Sequence, residues 1–166
     1  MTTLAPELRT ETETDVRTLW FDDSLAKIHV STRDGAGAAN LIELTVPEGH
    51  MTPLHVHDED ESYYVLEGRV TFFTGDRVIE TERGSSLLAP RGIPHTFRVE
   101  SAGARVLVTG ARFEGFVRAA SRPAELPALP HVDGRPTPEQ ATALAGAAAD
   151  NGIEILGPPG MLPTDL

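Results

Sequence analysis

The chain lacks cysteine, has few aromatic residues and carries little positive charge. Without cysteine there is no disulfide, no thiolate metal site and no cysteine nucleophile. The formal net charge is −11, from 25 acidic and 14 basic residues, and no run of four basic residues occurs. These features argue against a nucleic acid or an anionic membrane as a partner.

Long apolar runs are also absent near the start of the chain. Residues 1–15 are rich in threonine and glutamate and have no apolar core, so we expect a flexible acidic arm and neither a signal peptide nor a membrane span. A cytoplasmic protein is the resulting expectation. The 166 residues suffice for a single domain with a substantial core.

Residues 16–118 show short apolar runs separated by glycine, proline and aspartate. This pattern predicts the strands Ala26–Ser31, Asn40–Val46, Ser62–Leu66, Arg69–Thr74, Arg77–Glu80, Ser86–Ala89, His95–Glu100 and Arg105–Ala111. Regularly spaced short strands indicate an all-β, antiparallel sandwich or barrel. A jelly-roll barrel is the version that can hold a ligand between its sheets.

The composition changes in residues 119–166. A proline-rich arm comes first, and Thr137, Pro138 and Gln140 then predict the start of one short α-helix at about residues 138–150. The tail at residues 153–160 is apolar and rich in proline and glycine. Two positions for this arm stay open, across the barrel mouth as a lid or against a partner subunit.

Two stretches in the predicted barrel contain metal-binding residue types at fixed offsets from glycine and proline. The candidate ligands are His55, His57, Glu61 and His95. Residues two apart in a strand point to the same face, so His55 and His57 can reach one ion together. Imidazole and carboxylate bind borderline divalent metals. We therefore predict one divalent transition metal per chain, with nickel, manganese, cobalt, iron, copper and zinc all open.

Three imidazoles and one carboxylate around a six-coordinate ion leave two places free for a substrate or for dioxygen. Glu61 then has a second role as the catalytic base, because a carboxylate beside a metal can accept the proton of a substrate hydroxyl. A purely structural or vestigial site is the alternative.

Strand alternation predicts the residues that surround this site. Tyr63 and Val65 share a face with Glu61, and Phe97 and Val99 share a face with His95. Met51 and Phe72 add further apolar surface, so the predicted substrate pocket favours a hydrophobic or aromatic small molecule. Plain core packing is the alternative for each of these six side chains.

Other polar residues near the motifs receive simpler interpretations. Asp58, Glu59 and Asp60 are interpreted as a solvated turn. His50 is out of register with the ligands and is interpreted as exposed. His29 is interpreted as an ordinary polar residue.

The two motifs resemble those of the cupin superfamily, with Val99 at a position where the family usually has asparagine. Within it, the chain is most similar to small single-domain cupins related to quercetinases, the flavonol 2,4-dioxygenases. The likeness lies in Leu19–Trp20, His55–Val56–His57, Asp60–Glu61, Tyr64–Gly68, Pro90–His95, Phe113–Phe116 and Gly152–Pro158. The resemblance implies a jelly-roll fold, the four metal ligands above and a homodimer.

The resemblance also implies a reaction. Glu61 would take the proton of a substrate hydroxyl, and dioxygen would cleave the ring of a flavonol or a similar enolisable compound with release of carbon monoxide. Two other functions remain open. One is a non-oxidative metal cupin such as an isomerase or a polyketide cyclase, and the other is a non-catalytic protein that binds a small molecule.

Overall fold

A computed structural model of the chain describes residues 17–34, 37, 39–132 and 136–166. The flexible arm predicted at residues 1–15 lies outside the described residues. Within them the strands are β1 Arg17–Phe21, β2 Ser24–Val30, β3 Leu41–Pro47, β4 Leu54–His57, β5 Glu61–Glu67, β6 Arg69–Thr74, β7 Arg77–Glu82, β8 Ser86–Ala89, β9 His95–Val99, β10 Gly103–Thr109, β11 Ser121–Pro123 and β12 Ile153–Gly157. The helices are α1 Ala111–Ala120 and α2 Pro138–Ala149.

The strands form two antiparallel sheets that enclose the core. The larger sheet has the order β11-β1-β2-β3-β10-β5-β8, and the smaller one has the order β12-β4-β9-β6-β7. Every named strand pair is antiparallel, and most neighbours in a sheet are distant in sequence. This confirms the predicted all-β jelly-roll architecture.

The core lies between the inner faces of the two sheets. In β5, Glu61, Tyr63 and Val65 are buried while Ser62 and Tyr64 are exposed, as strand alternation requires. The rings of Tyr63 and Phe72 pack edge to face with centroids 5.0 Å apart. Burying an aromatic side chain such as Phe72 contributes about 1.5–3 kcal/mol to folding.

Gly68 closes the tight turn between β5 and β6. Its φ is +86°, in the left-handed region, and a Cβ at this position would collide with the carbonyl oxygen of Gly103. Only glycine both adopts this positive φ without strain and leaves room for the Gly103 carbonyl oxygen. The turn fixes the position of β5, whose first residue is the candidate ligand Glu61.

Helix α1 corrects the sequence prediction, which had one short helix and a strand running to Ala111. Strand β10 ends at Thr109, and the chain turns at Gly110 into α1. No capping side chain at Gly110 marks the start of this helix. The backbone at its start is held by the side chains of Glu59 and Asn40, which lie outside the strands and far away in sequence, so local sequence patterns do not show it.

Helix α2 begins as the sequence predicted. The Thr137 side chain accepts a hydrogen bond from the Gln140 backbone N–H, and the Gln140 side chain accepts one from the Thr137 N–H. The helix packs against α1 and β12, and Ala148 is fully buried there. A small residue at that position allows the two helices to approach closely.

The C-terminal tail forms a strand, which the sequence did not predict. Strand β12 pairs with β4, the strand that carries His55 and His57, and becomes the edge of the smaller sheet. Short β11 likewise pairs with β1 at the edge of the larger sheet. The tail is thus part of the wall beside the candidate metal ligands.

A buried carboxylate ties α1 to the larger sheet. Glu114 is 1% exposed, and it accepts hydrogen bonds from the Ser31 hydroxyl, the Thr32 N–H and the Arg118 guanidinium at 2.6–2.7 Å. Burial by itself would raise the pKa of Glu114, but these hydrogen bonds outweigh burial and lower it. The carboxylate is therefore ionised and fully paired at neutral pH.

Replacing Glu114 with alanine is expected to lower the free energy of unfolding by about 3–5 kcal/mol, because Arg118 would be left buried without its partner. The stabilisation is present above the ordinary glutamate pKa of 4.5 and is lost as the pH falls through the lowered native pKa. Urea unfolding at pH 7 and pH 4 measures the loss of unfolding free energy in the variant and its dependence on pH.

Glu100→Ala provides the matched control for this change. Arg98 and Glu100 form an ion pair at 2.8 Å, but the Arg98 side chain is 48% exposed, against 16% for Arg118. An exposed pair is screened by solvent and contributes little to stability. If Glu114→Ala and Glu100→Ala lowered the free energy of unfolding equally, burial would not be the reason that the Glu114 pair stabilises the fold.

Candidate metal centre

Three strands bring the four candidate ligands to one place. His55 and His57 lie on β4, Glu61 is the first residue of β5, and His95 is the first residue of β9. His55 and His95 are direct partners across the β4–β9 pair. Alternation along β4 then sends His57 to the same face, as the sequence predicted.

The ligand atoms of these four residues all lie within 4.8 Å of one another. The Nε2 atoms of His57 and His95 are 3.2 Å apart. The Glu61 Oε2 lies 3.3 Å from the Nε2 of His57 and 3.9 Å from that of His95. Four ligand atoms from a strand pair of the smaller sheet and one strand of the larger sheet thus converge on one point.

Each of the three imidazoles is fixed through its other nitrogen. The Nδ1 atoms of His55, His57 and His95 lie 2.5–2.9 Å from the backbone oxygens of Pro53, Glu59 and Ile93. A carbonyl oxygen only accepts, so each Nδ1 carries the proton and donates it. In the neutral imidazoles the Nε2 lone pairs therefore face one another and the Glu61 carboxylate. Such outer hydrogen bonds are typical of metal-ligating histidines, and this donor set fits a divalent transition metal.

The pKa values of His55 and Glu61 favour the metal-binding protonation states, which are neutral imidazole and ionised carboxylate. Burial lowers the pKa of His55 to about 4, so its ring is neutral at pH 7. Burial alone would raise the pKa of Glu61, but hydrogen bonds from the protonated forms of His57 and His95 outweigh it and the pKa lies below its ordinary value. For His57 burial would lower the pKa, yet the Glu61 carboxylate raises it, so a metal must displace a proton from this ring. Ionised Glu61 thus attracts positive charge to this point.

Tyr63 supports the Glu61 carboxylate from inside the barrel. Its hydroxyl donates a hydrogen bond of 2.5 Å to the Glu61 Oε2. Burial and the adjacent negative charge raise the pKa of Tyr63 well above 10, so the hydroxyl keeps its proton. Tyr63 therefore orients the candidate base.

The acidic loop between the ligands has structural roles that the sequence interpretation as a solvated turn missed. The Glu59 carboxylate accepts the N–H groups of Arg112 and Phe113 at the start of α1. Asp58 forms an ion pair with Arg112, and Asp60 accepts the N–H of Arg91. The loop thus joins the ligands to the helix that covers them.

An apolar cavity, lined by His55, His57 and Glu61 of the four candidate ligands, extends into the barrel. Tyr63 and Phe97 line it, as predicted for the substrate pocket. Val65, Val99 and Phe72 instead pack in the hydrophobic core. Met51 is half-buried in an isolated bridge with Arg98 and is not among the lining residues.

Most of the cavity wall, Leu44 excepted, comes from residues that the sequence did not indicate for this role. Aromatic and aliphatic side chains from β1, β3, α1, α2 and β12 line it: Phe21, Leu44, Val46, Phe113, Phe116, Leu144, Ile153 and Ile155. Phe21 packs edge to face against Phe116, with centroids 5.2 Å apart. The sequence left the position of the C-terminal arm open, and in the structure its segments α2 and β12 lie along the cavity. The wall is suited to a hydrophobic ligand.

His50 is not exposed, which corrects the sequence interpretation. Its side chain is 11% exposed, lines the cavity and pairs through Nδ1 with the Asp23 carboxylate at 2.7 Å. His29, interpreted as an ordinary polar residue, pairs with Glu43 at 3.0 Å and is not among the cavity-lining residues. The cavity thus has a second polar element besides the candidate metal ligands.

Within the described part of the chain, neither helix has the length and apolar character required to cross a membrane.

Comparison with known proteins agrees with the fold and the motifs. The family described as "Cupin domain" matches residues 42–110, a range that includes all four candidate ligands. Quercetin 2,3-dioxygenase of Bacillus subtilis (strain 168) is 30% identical over 107 residues, which cover 62% of this chain and 32% of that protein. The chain spans about a third to a half of the length of the curated relatives it matches.

Two solved structures are similar over a large part of the chain. The polyketide cyclase RemF from Streptomyces resistomycificus is 26% identical with a TM-score of 0.53, and the match covers 83% of this chain and 99% of that one. Hydroxypropylphosphonic acid epoxidase from S. wedmorenis is 16% identical with a TM-score of 0.52, covering 62% and 59%, and this likeness concerns the fold alone. The matching domain, the jelly-roll sheets and the three-histidine, one-glutamate cluster together make residues 42–110 similar to a cupin domain.

Proposed function

We propose that this protein is a metal-dependent enzyme that acts on a hydrophobic aromatic or enolisable compound, and that its reaction is a quercetinase-type dioxygenation. The observation that carries the proposal is the convergence of three Nδ1-anchored histidines and Glu61 at an apolar cavity. His55, His57, Glu61 and His95 would hold the metal. A catalytic site of this kind needs both a bound metal and room for a substrate.

The metal, when bound, would supply Lewis-acid stabilisation of a substrate oxyanion and, if redox-active, electrons for dioxygen chemistry. Glu61 is placed to accept the proton of the substrate hydroxyl, because it is the only carboxylate of the four-residue cluster and is held ionised. Tyr63 keeps the Glu61 carboxylate oriented through its hydrogen bond. Glu61 therefore accepts the substrate proton, and Tyr63 holds the Glu61 carboxylate in place to receive it.

The cavity walls provide the second part of the proposal. Phe21, Phe113 and Phe116 enclose one side, and Phe97 lies on β9 two residues from His95. Aromatic side chains pack well against the faces of a planar substrate. The apolar wall also excludes water from the proton acceptor. The identity shared with quercetin 2,3-dioxygenase supports this choice of substrate class.

A non-oxidative cyclase or isomerase is the second candidate function. The observation in its favour is the match to the polyketide cyclase RemF, which extends over nearly the whole of that chain. A cyclase at this site would use the candidate ligands, the proton acceptor and the apolar cavity, but it would not consume dioxygen. Dioxygen consumption therefore separates the two candidates. A non-catalytic binding protein would show neither reaction.

The proposal is tested by expressing the protein in media with one defined metal each, determining bound metal by elemental analysis and measuring quercetin-dependent oxygen uptake. The expected result is about one metal per chain and oxygen uptake with at least one of nickel, manganese, cobalt, iron or copper. Quercetin also oxidises in the presence of free metal, so the His57→Ala variant with the same added metal serves as the control.

If the preparations bind metal but none of them takes up oxygen with quercetin, the dioxygenase proposal is wrong. Zinc bound tightly in all media, with no uptake, would favour the cyclase or isomerase. The homodimer and the cytoplasmic location expected from the sequence stay predictions.

A further inference from the structure

A histidine–carboxylate pair lies in the cavity apart from the candidate metal ligands. The His50 Nδ1 lies 2.7 Å from the Asp23 Oδ1, and both side chains are largely shielded from solvent. Burial would raise the pKa of Asp23, but the hydrogen bond and charge of His50 lower it, so Asp23 is ionised. An ionised partner holds a proton on Nδ1 and leaves Nε2 as the hydrogen-bonding atom of the ring.

The pair lies beside the end of β9 that is remote from the ligand His95. The Val99 N–H donates to the His50 carbonyl oxygen at 2.9 Å, which places His50 beside Val99 of β9. His95 lies four residues away on that strand, a backbone separation of about 13 Å. Phe97 lies between them, and its ring centroid is 6.0 Å from that of His50. The cavity thus has two polar ends with an aromatic wall between.

The turn that supplies Asp23 is unusual in its backbone. Asp22 has a φ of +55°, the only positive φ among the described residues that are not glycine. Asp22 lines the cavity, and burial together with the charge of Asp23 raises its pKa. A left-handed non-glycine residue costs free energy, and such residues cluster at binding sites. The turn holds two carboxylates against His50 at the end of the cavity remote from the cluster.

We propose that His50, oriented by Asp23, is a second substrate contact that hydrogen-bonds a hydroxyl or carbonyl group at the end of the substrate remote from the metal ligands. This inference rests on the proposed function and extends it. It predicts an elongated, mainly apolar substrate with an oxygen substituent at each end, separated by a flat aromatic body. A compound with only the metal-proximal hydroxyl would leave the Nε2 of His50 without a hydrogen-bond partner on the substrate.

The test compares two probes, quercetin and 3-hydroxyflavone, which lacks the hydroxyls of the other rings. Dissociation constants are measured by calorimetry without dioxygen on protein loaded with zinc, which has no redox chemistry. Wild-type protein is expected to bind quercetin about tenfold or more tightly than 3-hydroxyflavone, as expected for one hydrogen bond to an oriented or charged group. His50→Phe keeps the ring volume and is expected to remove this preference, and Asp23→Asn is expected to reduce it.

His29→Phe is the matched control, because His29 also pairs with a carboxylate but is not part of the cavity wall. It should keep the wild-type ratio of affinities. Circular dichroism confirms that each variant is folded. Three results would overturn the inference. The His50→Phe variant could keep the wild-type ratio of affinities for quercetin and 3-hydroxyflavone, the wild-type protein could bind the two probes equally tightly, or it could bind neither. Failure of the proposed function is a separate result, namely no oxygen uptake with any redox metal.

Discussion

Replacing His57 with alanine is expected to abolish stoichiometric metal binding while the barrel stays folded. His57 contributes one of four converging ligand atoms, and its Nε2 lies within 3.3 Å of two of the others, those of His95 and Glu61. Even loss of an outer hydrogen bond to a ligand typically costs 10–100-fold in metal affinity. Loss of a ligand itself should cost more than about 100-fold. Elemental analysis after dialysis measures the bound metal.

The stability of this variant is expected to fall only modestly. The Glu59 carbonyl oxygen would lose the Nδ1–H donor, a cost of about 1–3 kcal/mol, against a total stability of about 5–15 kcal/mol for a typical domain. His57→Gln keeps more of the side-chain volume and serves as a second variant. His29→Ala is the control outside the cluster. Wild-type metal content in His57→Ala would show that the ligand assignment is wrong.

Replacing Glu61 with glutamine is expected to lower kcat for quercetin-dependent oxygen uptake by about 10²–10⁴-fold, the usual contribution of a general base. The amide keeps the shape of the carboxylate but does not accept the substrate proton. The three histidines remain, so the variant should retain metal with reduced affinity. Metal content and kcat are therefore measured on the same preparation, and rates are expressed per bound metal.

Two further variants separate the base from the surrounding charge. Tyr63→Phe removes the hydrogen bond to Glu61 and should reduce kcat by about tenfold, in line with loss of one hydrogen bond to a charged group. Glu67→Gln changes the exposed glutamate at the other end of β5 and should leave kcat unchanged. A metal-loaded Glu61→Gln protein with wild-type kcat would refute the assignment of Glu61 as the base.

The ligand cluster was predictable because its signals are local or repeat a simple period. His55 and His57 share a strand face through the two-residue period, and the sequence predicted that Glu61 and His95 would join them. The alternation in β5 correctly placed Tyr63 inside. Helix α2 was predictable for a similar reason, because the capping box of Thr137 and Gln140 is a signal within four residues.

The cavity wall was less predictable, because it depends on contacts between segments that are distant in sequence. The alternation of side chains identifies the inward face of a strand. It does not show which inward residues pack in the hydrophobic core and which line the cavity. Val65 and Val99 point inward and pack in the core, whereas Tyr63 and Phe97 reach the cavity. His50 was misjudged because its partner Asp23 lies in another turn.

The sequence by itself determined the antiparallel β class, the four candidate metal ligands and the helix that begins after Thr137, since each rests on strand period, fixed spacing or a local cap. Only the tertiary structure decided that α1 covers the barrel, that β12 pairs with the ligand strand β4, and that His50 and Asp23 form a second polar end of the cavity. The physical reason is that burial and ion pairing depend on which distant segments the fold brings into contact, and a linear pattern carries little information about those partners.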